Sequence, residues 1–102
     1  VYNDPELPKE LKLSFISALE EKNVLEISPV MAGEDFGRFG RVEPKIPTAL
    51  FWLGAVNKRL YKESLRKETT LPSLHSSKFL PEYEPTIDTG IKAMSSAIRR
   101  LL

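Results

Sequence analysis

One apolar run, "TALFWLG" at residues 48–54, constrains the fold of this chain more than any other feature. Pro44 and Pro47 separate it from the preceding segment, and every residue from Ala49 to Leu53 is apolar. Continuous apolar character without alternation is typical of a β-strand that is buried on both faces. Such a strand requires helices on both sides and strands at its edges, so the run predicts a layered fold.

Helical patterns precede and follow this run. After Asp4 and Pro5, apolar residues recur at helical spacing until Asn23, which predicts a helix over residues 5–22. A second helix is predicted over residues 59–67, where the chain is polar and mixed in charge.

The clearest helical pattern lies near the C-terminal end. Thr86 is a suitable N-cap, Asp88 lies in the first turn, and Arg99 and Arg100 lie in the last turn. The large apolar side chains of this segment fall on one stripe, which consists of Ile87, Ile91, Met94, Ile98 and Leu101.

Two stretches complete the predicted order of elements. Residues 24–27 are a short β-rich run, and residues 31–40, "MAGEDFGRFG", predict a loop with one helical turn. The order helix, strand, strand, helix predicts part of an α/β layered sheet. Because an ordinary sheet has about four to six strands, we expect the remaining strands to come from elsewhere.

Composition limits the classes of partner. Fifteen basic and fourteen acidic residues give a formal net charge of +1, which is too balanced to predict nucleic acid or an anionic membrane as a partner. The longest apolar run, residues 49–56, is far shorter than the roughly 20 residues of a membrane-spanning helix. The sequence contains no cysteine, which excludes disulfides and thiolate metal sites and favours a reducing, cytoplasmic location. Since the sequence begins at Val1 rather than methionine, we expect a piece of a longer protein, with any targeting signal outside it.

His75, in "LPSLHSSKF", is the one histidine of the sequence. Taken alone it is more typical of a solvated loop residue than of a metal ligand, because a metal site needs roughly three or four protein ligands. Ser73, Ser76 and Ser77 are close in sequence, but a G-x-S-x-G nucleophile motif is absent, which argues against a serine–histidine dyad.

One stretch, Gly33 to Asp35, and one further glycine, Gly54, are candidates for residues beside a site. Glu34 and Asp35 are adjacent carboxylates, a pattern that is usually solvent-facing. The functional alternative is a loop beside a site, in which Gly33 allows a ligand to approach the backbone. Gly54 ends the apolar run, and sites in α/β sheets gather at the carboxyl ends of strands.

Four stretches, taken in order, resemble the C-terminal end of the two-metal amidohydrolases: "MAGEDFGRFG", "IPTALFWLGA", "LPSLHSSKF" and "EPTIDTGIKAM". This family includes hippurate hydrolase, N-acyl-amino-acid amidohydrolases, auxin-conjugate hydrolases and related carboxypeptidases. The resemblance covers residues 1–102. It implies the C-terminal segment of a catalytic domain built as a helix-covered mixed sheet, with the rest of that domain and an inserted lid domain absent from this chain.

The resemblance also implies a chemistry. His75 matches a metal ligand of the family in the pattern LHS-x-x-F, whereas Glu34 and Asp35 match no ligand position and are carried over only as a site-adjacent loop. The implied cofactor is a pair of divalent metals (zinc, or manganese, cobalt or nickel), and the implied substrate is an N-acyl amino acid or a peptide. Because the other ligands and the general base would lie upstream, the isolated chain is expected to be inactive, and its uncovered apolar strand predicts a homo-oligomer.

A function of a different class fits the same residues. The chain would then be a self-contained interaction module that docks through its C-terminal amphipathic helix, with His75 incidental. Metal dependence and the length of the natural gene product distinguish the two hypotheses.

Overall fold

The computed structural model describes residues 2–30 and 34–102, and its regular structure is entirely helical. Three α-helices span Leu7–Leu19 (α1), Lys58–Lys67 (α2) and Tyr83–Leu101 (α3), and short 3₁₀ helices span Glu21–Asn23 and Phe36–Arg41. The chain divides into two compact units. The first contains the residues up to Trp52 together with Ile91–Leu102, and the second is Leu53–Gly90.

Helix α1 begins at Leu7, two residues after the predicted start at Pro5, and Glu6 rather than Asp4 occupies the N-cap position. The Asp4 Oδ1 atom accepts hydrogen bonds from the backbone N–H groups of Glu6 (2.9 Å) and Leu7 (2.8 Å). These donors have no partner inside a helix, so the carboxylate stabilises the first turn. Glu20 follows Leu19 with a φ of 70°, a left-handed value that ends the helix before the predicted boundary.

Helix α2 confirms the second predicted helix. Its N-cap is Asn57, whose Oδ1 atom accepts from the backbone N–H groups of Arg59 (2.9 Å) and Leu60 (3.2 Å). The Asn57 Nδ2 group donates to Glu82 Oε2 at 2.9 Å, and the Glu82 backbone N–H donates to the Ala55 carbonyl at 2.8 Å. These bonds connect the start of α2 to the segment before α3, within the second unit.

Helix α3 begins at Tyr83, three residues before the predicted cap at Thr86. Pro85 lies in the first turn, where a backbone N–H has no helical partner and its loss is tolerated. The Thr86 hydroxyl donates to the Glu82 carbonyl at 2.6 Å, so this side chain reinforces the first turn from inside the helix.

The core of the first unit lies between α1 and α3. The rings of Phe15 and Phe51 pack with centroids 4.8 Å apart, and Arg100 Nε donates to Glu10 Oε2 at 2.7 Å. The residues that α3 buries in this core are both small alanines. The buried apolar residues of this core are Leu11, Phe15, Ala93 and Ala97, and Leu7, Leu19, Val24 and Ala49 pack against them.

The predicted α/β fold, a portion of a helix-covered mixed sheet, is wrong for the described residues, which contain no strand. Residues 24–27 and 48–54 are both extended in the sequence pattern, but neither forms a ladder with the other. Strand propensity produces a strand only where the backbone N–H and C=O groups find a neighbouring strand. The sequence pattern therefore indicated the apolar side chains correctly, but the prediction that they lie in a sheet is wrong.

Two residues near the N-terminus bond the backbone at the start of residues 48–54, as a neighbouring strand would. The Asp4 N–H donates to the Thr48 carbonyl at 2.8 Å, and the Asn3 side chain bonds both the N–H (2.8 Å) and the C=O (3.0 Å) of Leu50. The predicted burial on both faces is also wrong, because Trp52 is 54% exposed.

None of the helices in the described part of the chain is both long enough and apolar enough to cross a membrane.

Candidate functional site

His75 lies in an exposed turn between α2 and α3 in chain order. The turn is held by the Ser76 N–H, which donates to the Ser73 carbonyl at 2.9 Å, and by the Phe79 N–H, which donates to the Ser76 carbonyl at 3.0 Å. The Ser76 hydroxyl also accepts from the Lys78 N–H at 3.1 Å. The backbone and one serine therefore define this turn, and the imidazole is accessible to a ligand.

Glu34 and Asp35 are exposed and come just before the 3₁₀ helix Phe36–Arg41. The Glu34 Oε1 atom accepts from the Phe36 N–H at 3.1 Å, and Asp35 Oδ1 lies 3.7 Å from Arg38 Nε. Both carboxylates thus have a local partner at the start of this short helix. Gly33, the third candidate of this loop, lies outside the described residues.

Gly54 is exposed and does not end a strand, so the argument that placed it at a site beside the carboxyl end of a strand does not apply. A Cβ atom added at this position would meet nothing within 4 Å, which means that no close approach requires a glycine. Gly40 is different, because an added Cβ would lie 2.9 Å from Thr48 Oγ1. Sequence reasoning missed this packing, although the two glycines that follow Phe36 and Phe39 were a signal for it.

A cavity of about 380 Å³ lies beside this contact in the first unit. It combines basic side chains and one carboxylate with two glycines of the 3₁₀ helix. Its lining residues include Asp4, Gly37, Gly40, Arg41, Lys45 and Thr48. None of them was a candidate from the sequence, because three separate segments contribute them.

The candidate residues are distributed over both units: Glu34 and Asp35 belong to the first, and Gly54 and His75 to the second. Across residues 2–30 and 34–102, no group of three or more His, Cys, Asp or Glu side chains is close enough to hold a metal ion. The described residues therefore do not form the predicted metal site by themselves.

The chain is similar to bacterial proteins named N-acetyldiaminopimelate deacetylase. The protein of Lactococcus lactis subsp. cremoris is 44% identical over 54 residues, which are 53% of this chain and 13% of the relative. The Lactobacillus acidophilus protein is 34% identical over 96 residues, which are 92% of this chain and 20% of the relative. The Bacillus pumilus protein is 29% identical over 102 residues, which are 97% of this chain and 23% of the relative.

No family model matches the chain, and no solved structure matches it. The matched segments span less than a quarter of the length of each of these three relatives. The similarity nevertheless extends over nearly the whole of this chain in two of them, and it confirms the resemblance seen in the sequence. The comparisons thus support the resemblance to the amidohydrolases, and the chain matches one part of such proteins.

Proposed function

We propose that this chain is part of a metal-dependent amidohydrolase that cleaves the amide bond of an N-acyl amino acid. The observation that carries the proposal is its similarity, over 92% of its length, to a protein named N-acetyldiaminopimelate deacetylase. The substrate in that name is an amino acid that carries an acetyl group on nitrogen. A small N-acyl amino acid is therefore the substrate class that we assign, with a peptide-like amide as the broader class.

His75 is the residue of this chain that we assign to the metal. Its imidazole is exposed at a turn whose hydrogen bonds do not involve the ring, so either ring nitrogen can face a ligand. One imidazole is only one of the roughly three or four protein ligands that a site of this kind needs. The described residues do not complete the set, so the other ligands would be contributed by polypeptide beyond them.

Glu34 and Asp35 have a different role in this proposal. The Glu34 carboxylate accepts a backbone hydrogen bond at the start of the 3₁₀ helix Phe36–Arg41, and Asp35 lies within ion-pair distance of Arg38, so both carboxylates have local partners in this loop. Their place in a loop beside the site stays a prediction from the sequence. Gly33 and Gly54 stay predictions from the sequence.

A chimera tests the assignment of His75. The matching segment of the Lactobacillus acidophilus deacetylase is replaced by this chain, and the product is assayed for metal content and for deacetylation of an N-acetyl amino acid. We expect the His75→Ala chimera to remain folded, because an exposed turn residue contributes little to a core, while metal content and turnover fall sharply.

Ser77→Ala in the same chimera is the matched control, because Ser77 is an exposed residue of the same turn. It should leave metal content and turnover unchanged. A His75→Ala chimera that keeps the metal stoichiometry and rate of the parent chimera would show that the turn is an ordinary surface loop.

A further inference from the structure

Helix α2 concentrates positive charge that the rest of the chain balances. Five of its ten residues are basic and one is acidic, so the helix carries a formal charge of +4, against +1 for the whole chain. The basic residues are Lys58, Arg59, Lys62, Arg66 and Lys67. The net charge of the chain therefore conceals a strongly basic element.

The buried side of α2 determines which of these cations lie on its outward side. Ser64 is the one buried residue of this helix. With about 100° between successive residues, Lys62 and Arg66 lie about 160° from Ser64 around the helix axis, which places them on the opposite side. Lys58 and Arg59 fall on the same outward side one turn earlier. These four exposed side chains form what we call the α2 cationic face.

The α2 cationic face has no acidic partner in the described part of the chain. Elsewhere Lys9 and Lys12 each pair with a glutamate, whereas none of the four cations of this face forms an ion pair with a described residue. Lys58, Lys62 and Arg66 are spaced four residues apart, which brings like charges together and disfavours the helix. An anionic partner would relieve this repulsion, so the charge pattern selects a polyanion.

Exposed apolar side chains border the α2 cationic face. Tyr61 is 50% exposed and Leu65 is 63% exposed, and both lie around the helix axis between Ser64 and the row of Lys58 and Lys62. Cations beside exposed apolar side chains are typical of a helix that lies in the surface of an anionic bilayer. There the cations contact head groups, and the apolar side chains enter the boundary with the acyl chains. A nucleic acid would engage the cations but leave Leu65 in water, so a bilayer fits the pattern better.

We propose that α2 attaches this chain to an anionic lipid bilayer through the α2 cationic face, with Tyr61 and Leu65 entering the boundary between head groups and acyl chains. A helix of ten residues is about 15 Å long, so it lies in the bilayer surface and does not cross it. Attachment through four cations is reversible and weakens as salt screens the charges. This surface does not involve His75, and the inference is independent of the proposed function.

Co-sedimentation of the 102-residue chain with vesicles tests the attachment. We expect binding at low salt to vesicles of equal parts phosphatidylserine and phosphatidylcholine, little binding to phosphatidylcholine alone, and release by added salt. Each cation beside an anionic leaflet changes partitioning about fivefold, so Lys62→Gln with Arg66→Gln should weaken binding roughly 25-fold. Equal binding to the neutral vesicles, or no binding to the anionic ones, overturns the proposal.

Arg41→Gln with Lys45→Gln is the matched control. It also removes one arginine and one lysine that are exposed and form no ion pair with a described residue, but both lie outside α2. It should therefore weaken vesicle binding far less. Glutamine is a good helix former, so both double variants should retain the circular dichroism of the unmodified chain. Equal weakening by the two double variants would show that net charge, not α2, governs binding, and overturns the proposal.

Leu65 separates a bilayer from a nucleic acid as the partner. Leu65→Gln should weaken binding to the anionic vesicles at least about threefold, whereas Leu13→Gln, at a residue that is 51% exposed on α1, should not. Because the chain has no cysteine of its own, Leu65→Cys places an environment-sensitive fluorophore at this position alone, and its emission should shift to the blue on the vesicles. Absence of the blue shift, or tighter binding to duplex DNA that Leu65→Gln leaves unchanged, overturns the proposal.

Discussion

The side chain of Asn3 holds the apolar segment around Leu50 in place through two hydrogen bonds to the backbone. Its amide donates to the Leu50 carbonyl and accepts from the Leu50 N–H, so it satisfies both backbone groups as a neighbouring strand would. The two residues are 47 positions apart. No local pattern relates them, and sequence reasoning therefore did not find this contact.

The ion pair of Lys12 and Glu26 provides a prediction at the same scale. The hydrogen bond from the Lys12 ammonium, and then its charge, lower the pKa of the Glu26 carboxyl below its ordinary value of 4.5. Because the folded-state pKa is lowered, the pair stabilises the fold above the ordinary pKa. That contribution is lost as the pH falls through the lowered value.

Lys12→Gln should therefore raise the pKa of Glu26 toward its ordinary value, as measured by an NMR pH titration of the Glu26 side-chain carboxyl carbon. Lys9→Gln is the control, because Lys9 pairs with Glu6 instead and should leave the Glu26 titration unchanged. An identical Glu26 titration in the Lys12→Gln variant would contradict the pairing.

At the scale of elements, the stability of α2 depends on the capping residues at its two ends. Its one buried residue is Ser64, so little apolar burial stabilises this helix in the described structure. Asn57 caps its start, and Glu68 closes its end in a left-handed conformation with φ 52°. A short polar helix of ten residues is marginal without such caps.

Asn57→Ala should destabilise α2 by about 1 kcal/mol, because the first-turn N–H groups lose their acceptor. Amide hydrogen exchange of α2, measured by NMR, reports this loss as reduced protection. Asn57→Ser retains an N-cap oxygen and should keep most of the protection. Equal protection in the alanine variant would show that the cap contributes nothing to α2.

At the scale of the whole molecule, the described residues do not bring together the metal ligands that catalysis of the proposed kind needs. The chain has one histidine, and the described residues contain no cluster of potential metal ligands. Three of its relatives are more than four times as long as the segment that each shares with it. A complete hydrolytic site would therefore require further polypeptide.

The isolated chain should consequently release no amino acid from N-acetyl amino acids when zinc, manganese, cobalt or nickel is added. Amino acid release is measured alongside the Lactobacillus acidophilus deacetylase, which serves as the active control. Robust metal-dependent release by the isolated chain would refute both this prediction and the view that its site is incomplete.

The sequence by itself determined the three α-helices of the described residues, the position of His75 in an exposed polar turn, and the resemblance to the amidohydrolases. These features depend on local periodicity, capping residues and short motifs, which are readable along the chain. Only the tertiary structure decided that residues 48–54 lack a sheet and that Gly54 is unconstrained. It also decided that α3 packs through Ala93 and Ala97. The physical reason is that an apolar pattern specifies which side chains avoid water, whereas the neighbours that cover them depend on contacts between residues far apart in sequence.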